Sequence, residues 1–158
     1  MPKIAVTGHR DLTDATTESV RTAMREALTT RGDRLIGLSC LAEGADQLFA
    51  HEVVRAGGKL HAVIPAADYR DFLPVGARDA YDDLKDRAAR VHKMPARSCA
   101  PESFMAASEF MLRGADELFA VWDGRPALGL GGTGDVVTYA RRKGIKVHVI
   151  WPDGARRS

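Results

Sequence analysis

Five short apolar runs, Lys3 to Thr7, Arg34 to Ser39, Lys59 to Ile64, Glu117 to Trp122 and Ile145 to Trp151, punctuate this chain, and they scarcely alternate polar with apolar residues. A strand that is apolar on both faces has to be covered on both, which is the condition of a parallel sheet between helical layers. The intervening segments carry helical spacing. Val20, Met24 and Leu28, flanked by Ala23 and Ala27, form one stripe that stops at Gly32, and Leu48, Phe49, Val53 and Ala56 form another that stops at Gly57-Gly58. A third helix is expected over Val75 to Arg90 and a fourth over Ser103 to Arg113. The last begins near Thr133 or Asp135, turns Val136, Val137 and Ala140 inward and ends at Gly144. Val91 to Met94 has the character of a short extra strand. The alternation predicts a three-layer α/β/α sandwich with a mostly parallel central sheet and right-handed crossovers. At 158 residues the chain is long enough to bury roughly 70% of its unfolded surface as one domain. Residues 1–152 are expected to form that domain, with 153–158 as a flexible tail.

Composition narrows the environment. Apolar residues make up 45% and charged residues 28%, and no apolar run approaches the ~20 residues that span a bilayer. Met1-Pro2-Lys3 leads straight into a strand without the apolar stretch of a secretory signal, so a cytoplasmic protein is expected. Cys40 and Cys99 lack CxxC spacing and read as free thiols. The net charge of +2 is too weak to argue for the phosphate-backbone contacts that nucleic-acid binding requires. His51, His61, His92 and His148 show no HxxxH or HExxH spacing, so no metal is expected, and no cofactor either.

Open sheets of this kind bind ligands beyond the carboxyl ends of the strands, where strand order reverses. Numbering the five main runs 1 to 5, an order 3-2-1-4-5 brings Gly8-His9-Arg10 against Asp123 to Asp135, with Ser39 to Asp46 beside them. In the third of these loops, Gly131, Gly132 and Gly134 with the Thr133 hydroxyl form a phosphate cradle at a helix start, or else only let a strand turn into a helix. The stretch has neither the GK[ST] of a Walker A loop nor the placement of a dinucleotide fingerprint. Arg10 offers a charge-assisted contact to phosphate or carboxylate, the alternative being a local pair with Asp11 or Asp14. His9 offers a hydrogen bond or acid–base chemistry, or simply closes a strand. Ser39, Glu43, Gly44 and Asp46 sit in a tight turn. Glu43 and Asp46 there are candidates for binding ribose hydroxyls or for catalysis, and equally for stabilising a helix start; Asp123 shares that ambiguity, and Asp135 is counted with the phosphate-binding residues of the glycine-rich loop. Cys40 is either a nucleophile at the pocket or a small buried apolar residue.

The segment Ser39-Cys40-Leu41-Ala42-Glu43-Gly44-Ala45-Asp46, followed by a helix closing at Gly57-Gly58, is similar to the SGLAxGID segment of the DNA-processing Smf/DprA proteins. Gly131-Gly132-Thr133-Gly134-Asp135 resembles the PGGxGT turn of the Lonely Guy (LOG) phosphoribohydrolases. With Thr7-Gly8-His9-Arg10 in front, the chain resembles a member of the SLOG superfamily, near its YpsA-like branch, over nearly its whole length. The resemblance implies a Rossmann-like domain that binds nucleotides or nucleotide-derived ligands and in some members cleaves an N-glycosidic bond. The departures also count. The LOG catalytic glutamate falls on Thr138, the PGGxGT threonine on Asp135, and the LOG arginine of the preceding helix near Ala107; the DprA-like arginine falls near Glu109.

Intact cradle glycines beside absent LOG catalytic residues point to a binding or sensor module for a phosphorylated, nucleotide-like small molecule. The alternative is a nucleotide N-glycosidase that uses Glu43 or Asp46 with Arg10 on phosphate; a weaker one is DprA-like binding of single-stranded DNA. Relatives often dimerise through helices, and the apolar segment Phe104 to Leu112 offers a face for a homodimer.

Overall fold

The computed structural model describes residues 1–127 and 129–158. Six strands, β1 (Lys3–Gly8), β2 (Ile36–Ser39), β3 (Lys59–Ile64), β4 (Arg90–Lys93), β5 (Glu117–Val121) and β6 (Lys146–Val149), form one sheet in the order β4-β3-β2-β1-β5-β6. Every pairing is parallel, with Ala5 opposite Leu38 on one side and Leu118 on the other. The helices are α1 (Asp14–Thr29), α2 (Ala45–Arg55), the single turn α3 (Tyr69–Phe72), α4 (Val75–Arg87), α5 (Pro101–Leu112) and α6 (Thr133–Arg142). Helices α1, α2 and α4 pack side by side on one face of the sheet, and α5 and α6 pack together on the other.

The order supposed for the five main runs, 3-2-1-4-5, is the one observed, and the extra strand joins the β3 edge as β4. Boundaries moved where tertiary pairing overrode helical spacing. The helix expected to reach Arg90 stops at Arg87, because Arg90 is already paired with His61 in the sheet. The turn α3 had no signal in the sequence.

The apolar stripes land as their spacing requires. Val20, Met24 and Leu28 of α1 are buried, as are Leu48, Phe49 and Val53 of α2. Phe49 meets Phe119 of β5 edge to face, with centroids 5.6 Å apart. Gly37 of β2 leaves the space that α2 needs, since a Cβ there would stand 2.5 Å from a Val53 methyl. Helix α1 starts on Thr13, whose hydroxyl accepts the Thr16 N–H at 3.3 Å.

The segment expected to fray, 153–158, folds back over the carboxyl edge of the sheet. Arg157 bridges to Leu12 in antiparallel fashion, the Thr13 N–H donates to the Arg156 carbonyl, and the Ser158 N–H donates to the Asp11 carbonyl. The Arg156 N–H reaches the Thr16 hydroxyl at 2.7 Å. Those backbone groups find partners on the β1–α1 loop and the first turn of α1 that a solvated tail would take from water.

Candidate functional site

The chain runs from β1 outward to β4, returns, and continues from β5 to β6, so the reversal lies between β1 and β5. At that edge opens a cleft of about 490 Å³, within the range of small-molecule sites. Gly8, His9 and Arg10 of the first loop, Cys40, Ala42 and Asp46 of the second, and Gly131 to Gly134 of the third all line it. Loops separated by more than a hundred positions in sequence thus meet at one rim.

Two loops are locked together by backbone contact. Gly44 has φ +80°, and a Cβ there would lie 2.6 Å from the His9 carbonyl oxygen and 2.8 Å from Arg10 Cα. The Ala45 N–H donates to that same carbonyl. Gly8 is equally confined: its missing Cβ would stand 2.4 Å from Ala45 Cβ and 2.7 Å from Val121 Cβ. Between them Leu41 takes φ +60°, a conformation costly for a residue with a branched side chain. The turn is held by the Ser39 hydroxyl, which accepts the Leu41 N–H at 3.1 Å and donates to the Asp46 carbonyl at 2.9 Å, and by the Gln47 amide, which donates to the Leu41 carbonyl at 3.1 Å.

The third loop is built as tightly. Gly131 has φ +85° beside the Pro101 carbonyl, and its N–H donates to the Asp135 carboxylate at 3.2 Å. A Cβ on Gly134 would lie 2.9 Å from the Ala127 nitrogen, so this glycine lets residues 125–127 pack across the start of α6. No side chain caps that helix, and the N–H groups of Thr133 and Gly134 have no partner among the described residues. They are the donors that an anion at a helix start would use. Arg125 also lines the cleft and pairs with no carboxylate among the described residues.

Placement sorts the remaining candidates. Arg10 is held by Glu43 and lies 4.9 Å from the Phe72 ring centroid, its guanidinium over the ring; Glu43 stands behind it, outside the cleft lining. Ser39 is fully buried and spends its hydroxyl on the turn. Asp135 clamps its own loop. Asp46 lines the cleft floor, where burial raises its carboxyl to about 7 against the attraction of the Ala42 N–H and Arg10. His9 is buried, and its Nε2 accepts the Asp123 N–H at 3.1 Å. That nitrogen is therefore unprotonated, in keeping with a pKa lowered by burial and by the charge of Arg157. Nε2 also lies 3.3 Å from an Asp123 carboxylate oxygen, but with the backbone N–H donating to it this is no ion pair. Burial works upward on Asp123, and the Arg125 N–H and the charge of Arg157 work against it, leaving the carboxyl below the usual range. Cys40 is buried, with its thiol pushed up by burial, which suits a packed apolar group and not a nucleophile.

Sequence reasoning passed over the opposite wall. Tyr69, Phe104, Met111 and Leu130 give the cleft an apolar side, with Phe104 packed 5.2 Å from Phe72 and 6.3 Å from Tyr69 between ring centroids. In the sequence the segment Phe104 to Leu112 offers a dimer face, and nothing local distinguishes an aromatic on such a face from one at a cleft edge. Arg157 lines the cleft as well.

The sequence matches no protein-family model and no curated protein. Its fold matches that of DNA processing protein A from Helicobacter pylori, which binds single-stranded DNA, with TM-score 0.68 at 16% identity over 99% of this chain and 68% of that one. It also matches DprA from Streptococcus pneumoniae, with TM-score 0.57 at 20% identity over 94% of this chain and 59% of that one. A molybdenum cofactor binding protein from Rippkaea orientalis aligns with TM-score 0.60 at 15% identity over 92% of this chain and 74% of that one. The chain thus has the Rossmann-like α/β fold that its motifs implied for the SLOG superfamily. At these identities the likeness is one of fold. The expectation against nucleic acid is not supported by these matches, since a single-stranded DNA binder shares the architecture. Among the described residues no helix is long and apolar enough to cross a membrane.

Proposed function

We propose that the cleft between β1 and β5 binds a phosphorylated, nucleotide-like small molecule, with its phosphate on the N–H groups of Thr133 and Gly134 beside Arg125 and its ring against Phe104 and Tyr69. The observation that carries this reading is the pairing, in one cleft of about 490 Å³, of uncapped helix-start donors with an apolar aromatic wall. Such a cavity suits a ligand that is anionic at one end and flat at the other. The fold neighbours, which bind single-stranded DNA and molybdenum cofactor, are compatible with a ligand of this chemistry.

Thermal-shift measurements with AMP, ADP-ribose, adenosine and a short single-stranded oligonucleotide test it. A ligand at a hundredfold excess over Kd adds ~2.7 kcal/mol of stability, so AMP or ADP-ribose should raise the melting temperature where adenosine does so less. Arg125→Ala should weaken that binding about tenfold, as expected for a hydrogen bond to a charged group. Stabilisation by the oligonucleotide alone would transfer the site to nucleic acid, and stabilisation by none of the four would refute the reading.

One observation favours a hydrolytic role for the same site: Asp46 lines the cleft with a pKa of about 7, where a carboxyl both takes and gives a proton near neutrality. In that case AMP is split to adenine and ribose 5-phosphate by the wild type and left intact by Asp46→Asn. Chromatography showing AMP unchanged at high protein concentration leaves binding as the function.

A further inference from the structure

We propose that Arg157, carried on the strap 155–158, is a ligand-binding residue that makes the acidic side of the cleft receptive to an anion. This rests on the reading of the cleft as a phosphate site and extends it to a residue far from every motif.

The strap is fixed along the β1–α1 loop and the first turn of α1. Its backbone is bonded at Thr13, Thr16 and Asp11, and Arg157 bridges to Leu12. The side chain is then anchored by one edge only: Arg157 Nε donates to both carboxylate oxygens of Asp11, at 2.9 and 3.1 Å. Nη1 stops 3.8 Å from an Asp123 oxygen, beyond hydrogen-bond reach. A guanidinium has five N–H donors, so those of the two Nη atoms have no hydrogen-bond partner among the described residues. Arg157, Asp11 and Asp123 all line the cleft.

Charge completes the case. Asp11 and Asp123 are two carboxylates lining the cleft that is proposed to take the phosphate, and left alone they would repel an anion there. Arg10 is committed elsewhere, paired at Nε with Glu43 and with its guanidinium lying over the Phe72 ring. Arg157 sits between both, and its charge reaches the floor of the cleft, where it helps to lower the pKa of His9. An arginine held at Nε with its Nη edge open is pre-organised for an oxyanion, so little side-chain entropy remains to be lost on binding. Asp11 is accordingly a positioning residue, acting through Arg157.

Titration calorimetry with AMP, adenosine and inorganic pyrophosphate, on the intact chain and on Arg157→Ala, Arg157→Lys and Asp11→Asn, tests the assignment. Circular dichroism serves as the check on folding. Arg157→Ala should weaken AMP and pyrophosphate about tenfold and adenosine less than about twofold, and Arg157→Lys should recover part of the loss by restoring charge. Asp11→Asn should fall between wild type and Arg157→Ala. An Arg157→Ala protein that binds AMP as tightly as wild type overturns the inference and leaves the phosphate site standing. So does an equal loss for AMP and adenosine, which would make the strap a packing element. If the intact chain binds neither AMP nor pyrophosphate, the phosphate site and this inference fall together.

Discussion

Asp46 and Gly8 show how much a single position carries. Burial holds the Asp46 carboxyl at about 7, against 3.8 for the free side chain. The folded protein therefore keeps a proton that the unfolded chain releases. The associated stability is full below pH 3.8 and is lost as pH rises through about 7. Asp46→Asn removes this dependence, so its melting temperature should exceed that of wild type at pH 8 and approach it at pH 4. A wild-type profile parallel to that of the variant would contradict the burial. His9 works in the opposite sense: its lowered pKa means that stability is present above pH 6.5 and falls as the ring is forced to protonate and give up the Asp123 N–H. Gly8 lines the cleft. The structure adds a packing demand, a Cβ 2.4 Å from Ala45, so Gly8→Ala should cost about 1 to 3 kcal/mol in denaturant unfolding with or without ligand.

Secondary elements were legible to the extent that their own residues decide them. The stripes of α1 and α2 and the unalternating strands are local patterns, and both survive in the structure. The Arg87 end of α4 was not legible, because it is set by β4 pairing with β3, a contact made across the sheet. Two measurements test the element scale. Thr13→Ala removes the hydroxyl that caps α1 and should cost about 1 kcal/mol. Arg25 joins α1 to α2 through Glu52, whose carboxylate is 3% exposed and accepts at 2.7 and 3.1 Å. Arg25→Ala leaves that charge buried and should destabilise clearly more than Arg70→Ala, which breaks a solvent-exposed pair with Asp82. Equal losses in urea melts would show that Glu52 finds another partner.

At the scale of the molecule, the cleft exists because the topology reverses between β1 and β5 and brings together loops that begin at Gly8, Ser39 and Val121. That convergence was legible, since turn residues at strand ends and a strand order consistent with right-handed crossovers leave few arrangements. A ligand that bridges those loops couples them, so it should protect amides of all three from hydrogen exchange together, and protection confined to the 129–134 loop would refute a shared site. The amino-acid sequence by itself determined the elements, their layers and the turn residues at the strand ends, because periodicity and glycine placement act within a few residues. Only the tertiary structure decided which side chains face that rim: Ser39 and Asp135 turned to hold their own turn and loop and Glu43 to hold Arg10, while Tyr69, Phe104 and Arg157 were brought in. The reason is physical. A side chain's direction and partners depend on groups that come close only once the sheet has formed, and the strap holding Arg157 is a set of bonds between the two ends of the chain.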